Sequence, residues 1–229
     1  MTYRPTLPEE HVEQIRISHD RAYAEELEAG SADRTFDYLG FSIVVPPQVM
    51  PITPMSHLLG ECVLAEAAPG DHILDMGTGS GVNAILAASR GADVLAVDNS
   101  AVAVDAARAN VARNGVSELV EVRQSDIFSA VTGLFDWILF DPPFRWFKPR
   151  SLTESVMADE GYQALTRFFR GARSHLSSGG RMLLFFGTSG DIGYLERLMA
   201  EEGFGREVAA HDHLDRDGWT VDYFTFLVS

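Results

Sequence analysis

Cysteine occurs once in this 229-residue sequence, at Cys62, which excludes an internal disulfide and a cysteine-based zinc site. Lysine also occurs once, at Lys148, and 18 basic side chains stand against 33 acidic ones, for a net charge of −15. That balance argues against broad, nonspecific binding to nucleic acid, which needs a basic face, and favours a small-molecule or protein substrate. No apolar run is long enough to span a bilayer, and the opening MTYRPTLPEEH has no signal-peptide core. A cytoplasmic protein without a membrane partner is therefore expected. Internal repeats and low-complexity segments are missing as well. What remains, 46% hydrophobic and 22% charged residues, suits one α/β domain with a sizeable core.

Val12, Ile15, His19, Tyr23 and Leu27 recur at helical spacing, and Gly30 offers a stop. Residues 1–35 therefore read as a helical cap. Residues 36–45 read as a hairpin bent at Gly40, followed by a rigid proline-rich loop over 46–54 and a helix over 56–68. From His72 onward strands and helices alternate. Strand-like runs cover 72–76, 94–98, 119–123, 135–141 and 181–187, and helical stretches cover 82–90, 101–114, 162–175 and 192–202. Such alternation predicts a doubly wound parallel sheet. The last two runs, 203–209 and 220–228, have no helix between them and predict an antiparallel pair at one edge. The expected fold is α/β: a Rossmann-like, mostly parallel seven-stranded sheet with an antiparallel C-terminal strand and a short N-terminal cap. The expected division is 1–45 for the cap and hairpin and 46–229 for the main domain. His211, His213 and Asp215 resemble metal ligands in type, but they read as a solvated turn before the last strand, so no metal site is expected.

The chemistry concentrates in two stretches. In His72–Gly81, HILDMGTGSG, an apolar strand runs into a turn where Gly77, Gly79 and Gly81 carry no side chains. Backbone N–H groups around Thr78 can then approach a ligand lying over the strand end, where open parallel sheets bind ligands. Asp98 closes the second strand of this series; a carboxylate there can accept hydrogen bonds from both hydroxyls of a ribose, and can equally cap the next helix. The second stretch is Asp141-Pro142-Pro143-Phe144. A planar conjugated amine has a delocalised lone pair and is a poor nucleophile. Accepting its N–H bonds with the Asp141 carboxylate and the Pro142 carbonyl raises the electron density on nitrogen and aims it, while Pro143 stiffens the loop and Phe144 can pack on a flat substrate.

Asp75-Met-Gly77-Thr-Gly79-Ser-Gly81 resembles the first motif of class I S-adenosylmethionine (SAM) methyltransferases, in G-x-G-x-G spacing rather than the G-x-G-x-x-G of dinucleotide sites. The Asp-Pro-Pro-Phe run resembles the [Asp/Asn]-Pro-Pro-aromatic motif of amino-group methyltransferases. Within the class the chain is most similar to the HemK type, through Phe36-x-x-x-Gly40-Phe41-x-Ile43 with Val49-x-Pro51, and through Asp141–Phe144 in place of Asn-Pro-Pro-Tyr. The resemblance implies SAM as cofactor, with Asp75 orienting its amino-acid end, Asn99 beside the adenine, and Asp126 and Ile127 at the adenine amine. Thr53 and the run Arg145, Trp146, Phe147 and Lys148 are placed on the acceptor side, with the aromatics either stacking on a planar substrate or packing against residues 1–45, and the cations meeting a phosphate or carboxylate. The implied reaction is N-methylation of a conjugated amine on a small molecule, a protein side-chain amide or a nucleobase. The alternatives are an amino-group methyltransferase of ribosomal RNA or release factors, and a non-catalytic SAM-binding protein. A nicotinamide-dependent oxidoreductase is disfavoured by the glycine spacing and the antiparallel ending.

Overall fold

The computed structural model describes residues 3–28, 30, 32–216 and 218–229; residues 1, 2, 29 and 31 of the expected cap lie outside them. The chain opens with α1 (Glu9–Glu28), the hairpin β1 (Arg34–Tyr38) and β2 (Phe41–Val45), and α2 (His57–Glu66). Then follow β3 (His72–Met76), α3 (Val82–Ser89), β4 (Asp93–Asp98), α4 (Ala101–Arg113), β5 (Val120–Gln124) and β6 (Phe135–Phe140). The last third holds α5 (Leu152–Ser155), α6 (Gln163–Ala172), β7 (Leu176–Gly187), α7 (Ile192–Glu201), β8 (Arg206–Arg216) and β9 (Trp219–Val228). No described helix is long and apolar enough to cross a membrane.

Seven strands form one sheet in the order β5-β4-β3-β6-β7-β9-β8. Neighbours from β5 to β7 pair in parallel, and β9 runs antiparallel to both β7 and β8. Strand faces alternate, so each strand feeds two cores. In β6, Trp137 and Leu139 join the layer beneath α2, α3 and α4. Ile138 and Phe140 join the layer beneath α6 and α7. The N-terminal segment has no core of its own: Ile15 of α1 enters the second layer, and Ile43 and Val45 of β2 enter the first.

Asn110 and Asn114, one turn apart on α4, stand in for a strand along the free edge of β2. Asn110 Oδ1 accepts from Val44 N at 2.9 Å and its Nδ2 donates to Val44 O at 2.7 Å. Asn114 repeats the exchange with Ser42. Asn110 Nδ2 also reaches Ser80 O at 2.9 Å, which ties the hairpin to the glycine turn. At the other end of the chain, Tyr3 Oη and Thr6 N donate to Asp191 Oδ2 at 2.8 and 2.7 Å, strapping the N-terminal segment to the start of α7.

Two expectations are corrected here. Residues 211–215 are not a turn: β8 continues to Arg216, and His211 pairs with Asp222 of β9 at 2.9 Å. The strand was hidden because β8 lies at the sheet edge, where its exposed positions carry His and Asp instead of an apolar face. The helix expected over 162–175 is shorter, flanked by single 3-10 turns, and β7 starts at Leu176 rather than 181. Its first turn of sequence, Ser177 to Gly180, is polar and glycine-rich and carries little strand signal.

Candidate active site

The sheet order reverses at β3: the chain winds outward through β4 and β5, then returns to the opposite side of β3 as β6. Ligands of open α/β sheets bind beyond the strand ends at such a switch point. Three carboxylates stand there, on β3, at the end of β4 and just after β6, and they differ in what they hold.

Asp75 is 1% exposed. Its Oδ2 accepts from Thr78 Oγ1 at 2.5 Å and from Ala84 N in the first turn of α3 at 3.1 Å. Burial pushes its carboxyl up to about 7, against those two hydrogen bonds. Thr78 is thereby turned inward, and its own N–H donates to Val97 O of β4 at 2.9 Å. Asp98, half-buried, accepts from Gly79 N and from Ser100 N, both at 2.9 Å. It braces the glycine turn and the entrance to α4 together, so the capping and ligand readings meet in one residue. Gly77, Gly79 and Gly81 have φ of 66°, 55° and 82°. A Cβ on Gly81 would come within 3.1 Å of Ala107 Cα and Cβ, so the close approach of α3 to α4 requires glycine there. Gly77 is exposed at the end of β3.

Asp141 differs from both. It is exposed by area, yet the surrounding protein and the neighbouring Asp75 push its carboxyl up to about 7. An accessible group that is nonetheless hemmed in by protein lies on the floor of a cleft. Its oxygens accept no hydrogen bond from the described residues. Pro142 is buried beside it, and the ring of Phe144 is held by Phe185 and Phe186 of β7 and Tyr223 of β9, at centroid distances of 5.5, 5.0 and 6.3 Å. Tyr162 Oη donates to Phe144 O and accepts from Asp191 N at 2.8 Å. A Cβ on Gly190 would collide with Phe144 O at 2.4 Å. The loop is therefore held from behind by packing and hydrogen bonds.

The remaining sequence-predicted residues scatter. Asn99 is exposed at the end of β4 and its carbonyl accepts from Gln124 Nε2 at 2.9 Å. Asp126 is engaged by Arg167 of α6 in a bidentate pair at 2.6 and 2.9 Å, which holds its carboxyl below the usual range. Ile127 packs against the second core with φ of 50°. Thr53 N donates to Ser56 Oγ at 3.0 Å ahead of α2. Trp146, Phe147 and Lys148 turn away from Asp141: they line a cavity of about 790 Å³ between α1 and the loop after β6, to which neither Asp141 nor the glycine turn contributes. Trp146 is 8% exposed and packs on Tyr3 and Tyr162 at 5.6 and 6.0 Å. Phe147 lies against His19 and under the Arg16 guanidinium at 4.6 Å. Of the two readings, stacking on an acceptor and packing against residues 1–45, the contacts are those of the second: both rings pack on the N-terminal segment. Trp146→Ala is accordingly expected to destabilise the fold by about 3–5 kcal/mol, read as a lower urea midpoint, while a ligand bound at the glycine turn keeps its affinity.

Sequence reasoning named Val49 only as part of the loop ahead of the first motif, and did not single out Tyr38. Val49 is buried against the glycine turn, 3.7 Å from the Cβ position of Gly79. Tyr38 donates to Ser56 O at 2.7 Å, and burial with Asp141 nearby drives its pKa upward. The only signals available were the proline-rich loop and the hairpin that precede the first motif.

The profile of the Methyltransferase small domain family matches residues 52–209. Among curated proteins, the ribosomal protein L11 methyltransferase of Exiguobacterium sp. is 39% identical over 125 residues, 54% of this chain and 33% of that protein. The release factor glutamine methyltransferase of Cereibacter sphaeroides is 37% identical over 151 residues, 59% of this chain and 53% of that protein. The ribosomal RNA small subunit methyltransferase C of Chromohalobacter salexigens is 37% identical over 115 residues, 50% of this chain and 31% of that protein. In each case the match spans about half or less of the relative's length. The solved tRNA m1G37 methyltransferase of M. jannaschii shares the fold, with a TM-score of 0.62 at 14% identity over 85% of this chain and 56% of that one. These likenesses overturn the inference from charge. A relative named for ribosomal RNA is 37% identical over half of this chain, so a net charge of −15 does not exclude nucleic acid. Whole-chain charge averages a surface, whereas a base is read in one cleft. The chain belongs to the methyltransferase small domain family.

Proposed function

We propose that this protein transfers a methyl group from SAM to the nitrogen of a planar conjugated amine. The observation that carries the reading is Asp141: an accessible carboxylate with no donor among the described residues, set beside a glycine turn at the switch point of the sheet. The residues present suit the cofactor. Exposed Gly77 leaves backbone open at the end of β3, and Asp98 keeps lone pairs beyond the two it uses on Gly79 and Ser100. Asp75, through Thr78 and Ala84, fixes the shape of the turn. Bound there, SAM supplies an electrophilic methyl on a sulfonium.

The chain's own work is positioning and electrostatics. Asp141 as carboxylate and the Pro142 carbonyl accept the two amine N–H bonds, directing the nitrogen lone pair toward the cofactor side of the cleft. Phe144, held by the β7 and β9 aromatics, presents a flat wall. A nucleobase amino group and a side-chain amide both satisfy this geometry. The division into a cover over 1–45 and a catalytic unit over 46–229 belongs to the same proposal.

The test is thermal unfolding with S-adenosylhomocysteine, run beside Asp98→Ala. At about a hundred times its dissociation constant the ligand stabilises by about 2.7 kcal/mol, a rise of about 5–10 °C for a chain of this size. The wild type is expected to show that rise and Asp98→Ala to lose most of it. An NAD-dependent rise in place of it would end the reading.

A further inference from the structure

Among the described residues, Arg145 of the motif loop forms no ion pair although part of its guanidinium is buried. Arg145 follows Phe144 directly, so its Cα lies at most about 14 Å from that of Asp141. Its Nε is buried without a hydrogen-bond partner, and no carboxylate among the described residues forms an ion pair with it. The other arginines near this face are paired: Arg150 with Glu154 and Asp20, Arg167 with Asp126. The chain has 33 acidic side chains, and among the described residues none pairs with Arg145. The guanidinium acts electrostatically on the Tyr162 and Tyr223 hydroxyls and on the His19 ring, and the carboxylate beyond that ring, Glu154, is taken up by His19 and Arg150. Burial works against the charge of Arg145, yet a guanidinium does not deprotonate. A water molecule can satisfy Nε but brings no negative charge. Buried charges are ordinarily paired, because an uncompensated one costs several kcal/mol. The side chain remains half-accessible, so its recess opens to solvent.

We infer that Arg145 is an oxyanion-binding residue for the acceptor, pairing a phosphate or carboxylate carried by the molecule whose nitrogen Asp141 holds. This rests on the methyl-transfer reading of the same site. Planar guanidinium and oxyanion match in a two-pronged hydrogen bond, which would fix the acceptor at a second point away from the reacting nitrogen.

The experiment is thermal unfolding of wild type, Arg145→Met and Arg145→Lys. Each is measured alone, with S-adenosylhomocysteine, and with inorganic phosphate or acetate titrated against sodium chloride at matched ionic strength. Phosphate or acetate is expected to raise the wild-type midpoint by a few degrees, to do less for Arg145→Lys and nothing for Arg145→Met. Which oxyanion acts tells the two sources apart. Unliganded Arg145→Met is expected to melt above wild type, since it removes a charge with no partner. A midpoint lowered by several degrees would mean that Arg145 is a structural residue and would overturn the inference. Equal oxyanion shifts in wild type and Arg145→Met, or none in either, would do the same. A wild type that answers S-adenosylhomocysteine but neither oxyanion loses only this inference; one that fails to answer S-adenosylhomocysteine loses the methyl-transfer reading beneath it.

Discussion

Asp141→Ala is expected to lower methyl transfer about 10²–10³-fold, the scale of removing one preorganised polar group from a transition state. Ribosomal RNA, ribosomal protein and release-factor fractions serve as acceptors for labelled SAM. S-adenosylhomocysteine should bind as in wild type, because Asp141 makes no hydrogen bond to the glycine turn or to Asp98. Asp141 offers two charged acceptor oxygens only when ionised, whereas its protonated form keeps one neutral acceptor and gains a donor; its carboxyl is pushed up to about 7. Wild-type activity should therefore rise with pH through that region, the inflection belonging jointly to Asp141 and Asp75. Asp141→Asn, with one carbonyl acceptor and no charge, should be slow and flat over the same range. Stability runs the other way. The folded pKa lies above the unfolded value, so the contribution of this group is fully present below the unfolded pKa of about 3.9 and is lost as pH rises through the folded one. Asp141→Asn should match wild type in stability at low pH and exceed it at pH above 7. A variant less stable than wild type at high pH would show that the carboxylate is a structural anchor.

How much of this was legible beforehand depends on whether a signal was local. β3 was read to the residue because an apolar run stops abruptly at Gly77, and β9 to within one residue because 220–228 is rich in β-branched and aromatic side chains. The three carboxylates were found from their places relative to those strand ends. What each carboxylate holds was not legible. Asp75 could serve as a ligand group or as a turn brace from sequence alone; burial and the approach of Ala84 N decide it. Asp126 looked available until α6 brought Arg167 across. Trp146 and Phe147 follow Phe144 with only Arg145 between, and only the path of the loop past α1 determines which rings face the cleft. Asn110 and Asn114 sit four residues apart on one helix face, a visible spacing, but their partner strand is 66 and 72 residues away.

Asp191 is the largest such omission, and its removal is expected to have the largest effect on stability. It is fully buried at the start of α7. Its Oδ2 accepts from Tyr3 Oη and Thr6 N; its Oδ1 accepts from Thr6 Oγ1 and from Tyr194 N at 3.0 Å. Asp191→Ala removes a helix cap and strands several donors at once, and is expected to cost about 3–5 kcal/mol, a large share of the total for an ordinary domain. The urea midpoint should fall by about 1–2 M. Asp191→Asn, which keeps one carbonyl for the α7 cap, should lose less. The motif loop should keep its shape where either variant remains folded, because its link to this point runs from Tyr162 Oη to the Asp191 backbone N–H, which substitution leaves in place. The two sites are thus separable: Asp191 variants should lose stability and retain the pH profile of methyl transfer, whereas Asp141 variants should lose the profile and retain the fold. If Asp191→Ala instead flattened the pH profile in protein that is still folded, the strap over residues 3–6 would be part of the active site itself.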